Sequence, residues 1–346
     1  MRKLLMMIVL VMVLASPVSA LELEAPEVPS SAARYMPVIQ DNLGTAFLGM
    51  LRDAVLAVSP SLKEAAGVCL AVFCGVLVLS VLQTVQEKNH RSINLIGTVV
   101  ICTLIFGSFR SFINLATDTV SEISEYGKLL LPVMTAALAA QGGAAASAAL
   151  YGATAIFDSL LTGLIAKVLT PMIYLFLALA AAKSAVGDEM LKRLGDQMKG
   201  FMTWMLKTVL YVYTGYISIT GVISGATDAA ALKAAKLMIS GAVPVVGGIL
   251  SDASEAVLVS AGTVKNVAGV YGMFAVLAIW IGPFIRIGFQ YLLLKTTGSI
   301  CSIFSGKEIS GLIADFSAAM GFLVAITGTV CLMLLISLVC FMKGVG

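Results

Sequence analysis

The chain has 346 residues, of which 59% are hydrophobic and only 12% charged, with a mean hydropathy of +1.01. That balance exceeds what a water-solvated surface allows at this length, so a bilayer must be the main solvent and a soluble enzyme is excluded. Its 22 Lys and Arg against 19 Asp and Glu leave a net charge of +3. No basic block points to a nucleic-acid partner.

The N-terminus has the three parts of a secretory signal. Met1 to Lys3 is basic, Leu4 to Leu14 is an unbroken apolar run, and Val18 to Ala20 offers small residues for cleavage. Residues 1–20 are therefore expected to be removed, which places the new N-terminus outside the cytoplasm. Leu21 to Ser31, with Glu22, Glu24, Pro26, Glu27 and Pro29, cannot build a core and is expected to be an extended extracytoplasmic linker. From Leu43 to Val58 the apolar residues repeat on one helical face, with Arg52 and Asp53 off it. This predicts an amphipathic helix on the membrane or on a partner, ended by Pro60.

Residues 65–346 are expected to form an all-α, polytopic bundle of about six transmembrane helices. Spans are predicted at 65–85, 93–115, 171–186, 201–223, 267–285 and 318–341. Lys88 and Arg91, then Lys192, Arg193 and Lys199, then Arg286, Lys295 and Lys307 mark the connections expected on the cytoplasmic side. Thr117 to Lys128 is read as a short outer amphipathic piece. Leu129 to Leu169 is apolar but interrupted by Pro132, Gln141 to Gly143 and Asp158, and is expected to be a re-entrant pair rather than two full spans. The order span, span, amphipathic piece, Pro132, Gly142-Gly143 recurs with Pro244 and Gly247-Gly248. That order describes a parallel internal repeat, or a coincidence among Ala- and Gly-rich helices.

The six cysteines fall in or beside apolar runs with no metal-binding spacing, and the single histidine, His90, lies in a charged loop. No catalytic residue, metal or cofactor is expected. No nucleotide-binding or hydrolase motif is present to supply energy or chemistry, so the chain is read as not an enzyme. Lys183 and most other charges near span ends are expected to snorkel to headgroups, while Asp158 and Arg286 are read as intramembrane charges.

The most distinctive stretch is KAAKLMISGAVPVVGGILSDASEAVLVSAGTVKNVAGVYG, from Lys233 to Gly272. Lys233 and Lys236 sit on an amphipathic turn, and Pro244 with Gly247 and Gly248 makes a break. Ser251-Asp252 offers a helix N-cap, and Glu255, Lys265 and Asn266 complete a candidate functional segment. This stretch closely resembles the signature of the stage III sporulation protein AE family, membrane proteins of endospore-forming bacteria. The resemblance implies a mother-cell protein of the outer forespore membrane that is needed for forespore development. It further implies partners in the stage III sporulation A complex, including an ATPase and ring-forming proteins, in a secretion-like channel. Membrane lipid is the other expected partner. A stand-alone ion-coupled transporter and a passive scaffold for the ring proteins are the rival readings.

Overall fold

A computed structural model describes the backbone of residues 26–37, 43–85, 90–242 and 247–343, and side chains for 26–37, 44–83, 92–219, 263 and 265–343. The signal-peptide reading at 1–20 lies outside the described residues. Among them there are helices and no strand. A short helix α1 (Ser30–Ala33) precedes α2 (Leu43–Val85) and α3 (His90–Ala140). Then come α4 (Ala144–Leu164), a π-helical turn (Ile165–Leu169), α5 (Thr170–Val186), α6 (Glu189–Ala242), α7 (Gly247–Phe304) and α8 (Lys307–Lys343). The segment α4 to α5 is one rod, so the described backbone forms six long rods, and each of the six predicted spans falls on its own rod. Five stretches, on α2, α3, α4 to α5, α7 and α8, are long and apolar enough to cross a membrane among the described residues.

The rods are longer than the spans predicted for them. Helix α3 has 51 residues, about 75 Å at 1.5 Å per residue, against about 40–45 Å for a bilayer with its headgroups. Helix α2 is free of charge between Glu64 and Glu87, and α3 between Arg91 and Arg110; each run is roughly the thickness of a hydrocarbon core. Within these runs Leu70, Val78, Leu82, Leu95, Val99 and Phe106 are exposed, as lipid-facing residues are. The remainder of α3, carrying Arg110, Asp118, Glu125 and Lys128, continues past this run, away from the turn at Gly187.

Three expectations are corrected. Pro60 does not end the first helix, because Met50, Ala54, Val58, Ala65, Cys69, Val72, Val76 and Leu79 form one buried stripe on both sides of it. Packing of that stripe against α3 and α7 outweighs the roughly 3 kcal/mol a proline costs inside a helix. Thr117 to Lys128 is likewise not a separate piece, since Ala116, Val120, Ile123, Leu130 and Met134 continue the buried face of α3 past Pro132. Residues 129–169 are therefore no re-entrant pair. They are the ends of α3 and of the next rod, folded back at a single turn.

That turn is set by local chemistry. Gly142 has φ +91°, Gly143 N–H donates to Leu138 O and Gly142 N–H to Ala139 O, the paired bonds of a Schellman cap. The next turn uses Gly187 at φ +75°, whose N–H bonds Lys183 O; Asp188 Oδ1 then accepts from Met190 N–H to start α6. Between α4 and α5, Pro171 has no N–H for the carbonyl of Lys167. The chain widens there into the π turn, with Thr170 N–H reaching Ile165 O.

Each rod runs antiparallel to the next, so the connections after α2, α5 and α7 fall at one end of the bundle and the turn at 141–143 at the other. Two of the expected basic connections are corrected: Lys192, Arg193 and Lys199 lie in α6, and Arg286 and Lys295 lie inside α7, so only short turns after Val186 and Phe304 remain. The two halves of the expected repeat lie on α2–α3 and on α4 to α6, hairpins of the same sense. Helix α8 packs against α3, α4, α5, α6 and α7 and fills the centre, while α2 lies outside on α3 and α7. The most apolar windows of α7 and α8 are 56% buried, against 28–33% for those of the other three candidate spans. The end of the expected linker and the residues just after it are not free: Ser31 Oγ donates to Glu122 Oε2 at 3.0 Å, Ala32 and Tyr35 are buried, and Tyr35 lies against Gly282 of α7.

Candidate functional site

Helix α8 carries the stripe Ile309, Leu312, Ile313, Phe316, Ala319, Met320 into the core, and Asp315 sits on that same stripe with its side chain 7% exposed. A carboxylate there must be paired or neutralised. Two lysines meet it: Lys183 from the last turn of α5, in direct ion pair with Oδ2, and Lys199 from α6, 2.8 Å from Oδ1. Lys199 also lies 5.2 Å above the ring of Phe176, which favours its charge, and Asp196 is 3.7 Å away in a more exposed position. The knot joins three rods near their basic end. Beside it, Thr98 and Ser184 share a buried hydrogen bond of 2.8 Å that ties α3 to α5. Lys183 therefore does not snorkel to a headgroup. It is held by an acid 132 positions away in the sequence.

The same rods meet again further from that end, without charge. Thr154 on α4, Tyr213 on α6 and Ser337 on α8 are fully buried and form a hydroxyl cluster. Ser337 Oγ lies 2.6 Å from Thr154 Oγ1 and bonds Tyr213 OH, while Thr154 and Tyr213 are 3.4 Å apart. Phe157 packs edge-on against Tyr213 at 5.4 Å. One turn along α4, Asp158 accepts a hydrogen bond of 2.5 Å from Ser124 Oγ of α3. The expected internal charge is thus half-buried and partnered, and it adjoins the hydroxyl cluster.

Arg286, the other expected internal charge, stands on α7 at the far side of the bundle. It lines small cavities between α2, α3 and α7, with Glu64 in one of about 150 Å³ and Asp118 in another of about 470 Å³. Its Nε is enclosed with no hydrogen-bond partner among the described residues. The structure keeps Asp158 and Arg286 apart, in separate polar regions.

Much of the candidate segment falls outside the described residues: Pro244 entirely, and the side chains of Lys233, Lys236, Asp252 and Glu255, while Gly247 and Gly248 are described by their backbone alone. The backbone is helical up to Ala242 and again from Gly247. Helix α7 therefore starts four residues before Ser251, so Ser251-Asp252 is not its N-cap; glycines are tolerated in a first turn whose N–H groups lack helical partners in any case. Lys265 is buried on α7 and Asn266 is exposed. No cluster of three or more metal-ligating side chains occurs among the described residues.

Asp315 and the three hydroxyl residues were not singled out in the sequence. One signal was available for Asp315, an acid on the apolar stripe of a membrane helix. None was available for Thr154, Tyr213 and Ser337, which are ordinary members of apolar helices.

The family model described as Stage III sporulation protein AE (spore_III_AE) matches residues 34–344. A protein of Bacillus subtilis (strain 168) named Stage III sporulation protein AE is 25% identical over 272 residues, covering 78% of this chain and 68% of that protein. No solved structure matches. The family match takes in all six rods, both polar clusters and the 233–272 segment, and the chain belongs to the stage III sporulation protein AE family.

Proposed function

We propose that this sporulation membrane protein is a channel subunit of the complex linking mother cell and forespore, placed in the mother-cell (outer forespore) membrane and needed for forespore development. The observation that carries the reading is the length of the rods. Helices of about 75 Å are longer than one bilayer with its headgroups, as suits a component that meets partners in the space between two membranes. Helix α8 fills the axis of the single chain, so the conduit runs between copies or between this chain and its partners. The ion knot at the cytoplasmic end gives those assemblies a fixed base. The energy source is a partner ATPase, and ring-forming proteins of the complex continue the path across the intermembrane space.

Pull-down of the tagged full chain from sporulating cells tests this. Co-recovery of the ATPase and the ring-forming proteins is expected. Recovery of the chain alone would favour an independent ion-coupled transporter. Co-recovery with unimpaired passage of small solutes into the forespore after the chain is depleted would leave only the scaffold reading.

A further inference from the structure

Helices α7 and α8 form a continuous seam whose chemistry changes along its length. On α7 the residues Phe284, Gly288, Tyr291, Lys295, Ser299 and Ser302 follow one another at helical spacing on one face. On α8 the facing stripe is Lys307, Ser310, Ala314, Ser317, Gly321 and Val324. The inner part of the seam is an open cavity of about 620 Å³ lined by Lys295, Lys307 and the serines. The outer part is an apolar groove of about 530 Å³ lined by Phe284, Phe289, Leu292 and Val324. Tyr291 and the α7–α8 interface are common to both.

Two small residues keep the groove open. A β-carbon at Gly288 would meet nothing within 4 Å, and one at Gly321 would meet only the Tyr291 ring, at 3.4 Å. Tyr291 is held in place: Ser317 Oγ donates to its carbonyl at 3.2 Å, and Lys295 Nζ donates to its hydroxyl at 3.2 Å while lying 5.4 Å from its ring. Both cavity lysines are exposed, and among the described residues no carboxylate pairs with either within 4 Å. The neighbouring knot of Lys183, Lys199 and Asp315 adds a further positive charge, against Glu308 on α8.

We infer that this seam binds an anionic phospholipid of the cytoplasmic leaflet, its headgroup between Lys295 and Lys307 and one acyl chain along the Phe284 to Val324 groove. The polar end lies at the basic, cytoplasmic end of the bundle, where anionic headgroups are found, and the apolar end points to the bilayer centre. Phe284 and Lys295 are eleven positions apart, about 16 Å along the helix, which suits most of an acyl chain. Two cations above an apolar trough match a charged head on a hydrocarbon tail better than either a free phosphate or an uncharged helix.

Trp280 stacks on Phe284 at 4.1 Å, at the outer end of the groove, and only Trp204 must be removed to make it the sole tryptophan. The full chain carrying Trp204→Phe is reconstituted with brominated phosphatidylglycerol or brominated phosphatidylcholine at equal mole fraction, and quenching of Trp280 is read. Several-fold stronger quenching by phosphatidylglycerol is expected. Lys295→Gln/Lys307→Gln should bring the ratio close to one, and Gly288→Phe should lower quenching by both lipids. Millimolar inorganic phosphate should leave the preference intact, whereas its abolition by phosphate would assign the cavity to a free anion. Equal quenching by the two lipids, or a preference untouched by the lysine substitutions, overturns the proposal. Absence of quenching by either lipid also does so, as it would if a protein segment occupied the groove. Should the double variant not fold, native mass spectrometry of the wild-type chain decides by whether phosphatidylglycerol is retained over phosphatidylcholine.

Discussion

The rods α4 to α5, α6 and α8 meet at two polar places, and the two are built from opposite chemistry. At the basic end they share three charges, Lys183, Lys199 and Asp315; 22 positions further along α8 they share three hydroxyls, Thr154, Tyr213 and Ser337. The spacing corresponds to about 33 Å along the helix. Near the end, lysine stems leave partial access to water, with side chains 21% and 31% exposed, so ionised groups can be kept. Within the bundle core the same rods are joined by neutral groups that satisfy one another. Position along the bundle decides which kind of link is tolerable.

The comparison is broken most severely by Asp315→Leu, which leaves two ammonium groups facing each other in a half-buried site. A loss of about 3 kcal/mol is expected, read as a shift in the unfolding midpoint when detergent-solubilised protein is titrated with SDS. Ser337→Ala is expected to cost less, about 1–2 kcal/mol by the same titration, because it leaves the buried hydroxyls of Thr154 and Tyr213 only their longer 3.4 Å contact with each other and leaves no charge behind. The smallest effect should come from the triple change Lys183→Met/Lys199→Met/Asp315→Leu, within about 1 kcal/mol of wild type, since an ion cluster replaced whole by apolar side chains loses its desolvation cost together with its attraction. A triple variant as unstable as Asp315→Leu would mean that the knot holds the rods through more than paired charge.

The sequence carried the number of rods, their order and the end at which their basic turns gather, because all three depend on apolar run length and on Lys and Arg placement. It also carried the break at Gln141 to Gly143, where Gly142 takes a positive φ that suits a residue without a β-carbon. Helix continuity through Pro60 and Pro132 was not legible. A proline's cost is local, whereas the stripe that overrides it is recognised only once α3 and α7 are seen against α2. For the same reason Lys183 reads as a snorkelling lysine until Asp315, 132 positions later, is placed beside it. Asp158 was visible as a charge in an apolar run, but its partner Ser124 and its place beside the hydroxyl cluster were not.

The central claim is a bundle of antiparallel rods with a single orientation, the turn at 141–143 outside the mother-cell membrane and the Gly187 turn inside it. Single cysteines at Ala140 and Lys192, both exposed, test it in a chain whose six native cysteines have been replaced. The probe is a membrane-impermeant maleimide applied to intact cells before engulfment is complete. The account predicts that Ala140→Cys is labelled at once and Lys192→Cys only after the membrane is permeabilised. Labelling of both from outside, or of Lys192→Cys alone, would contradict it.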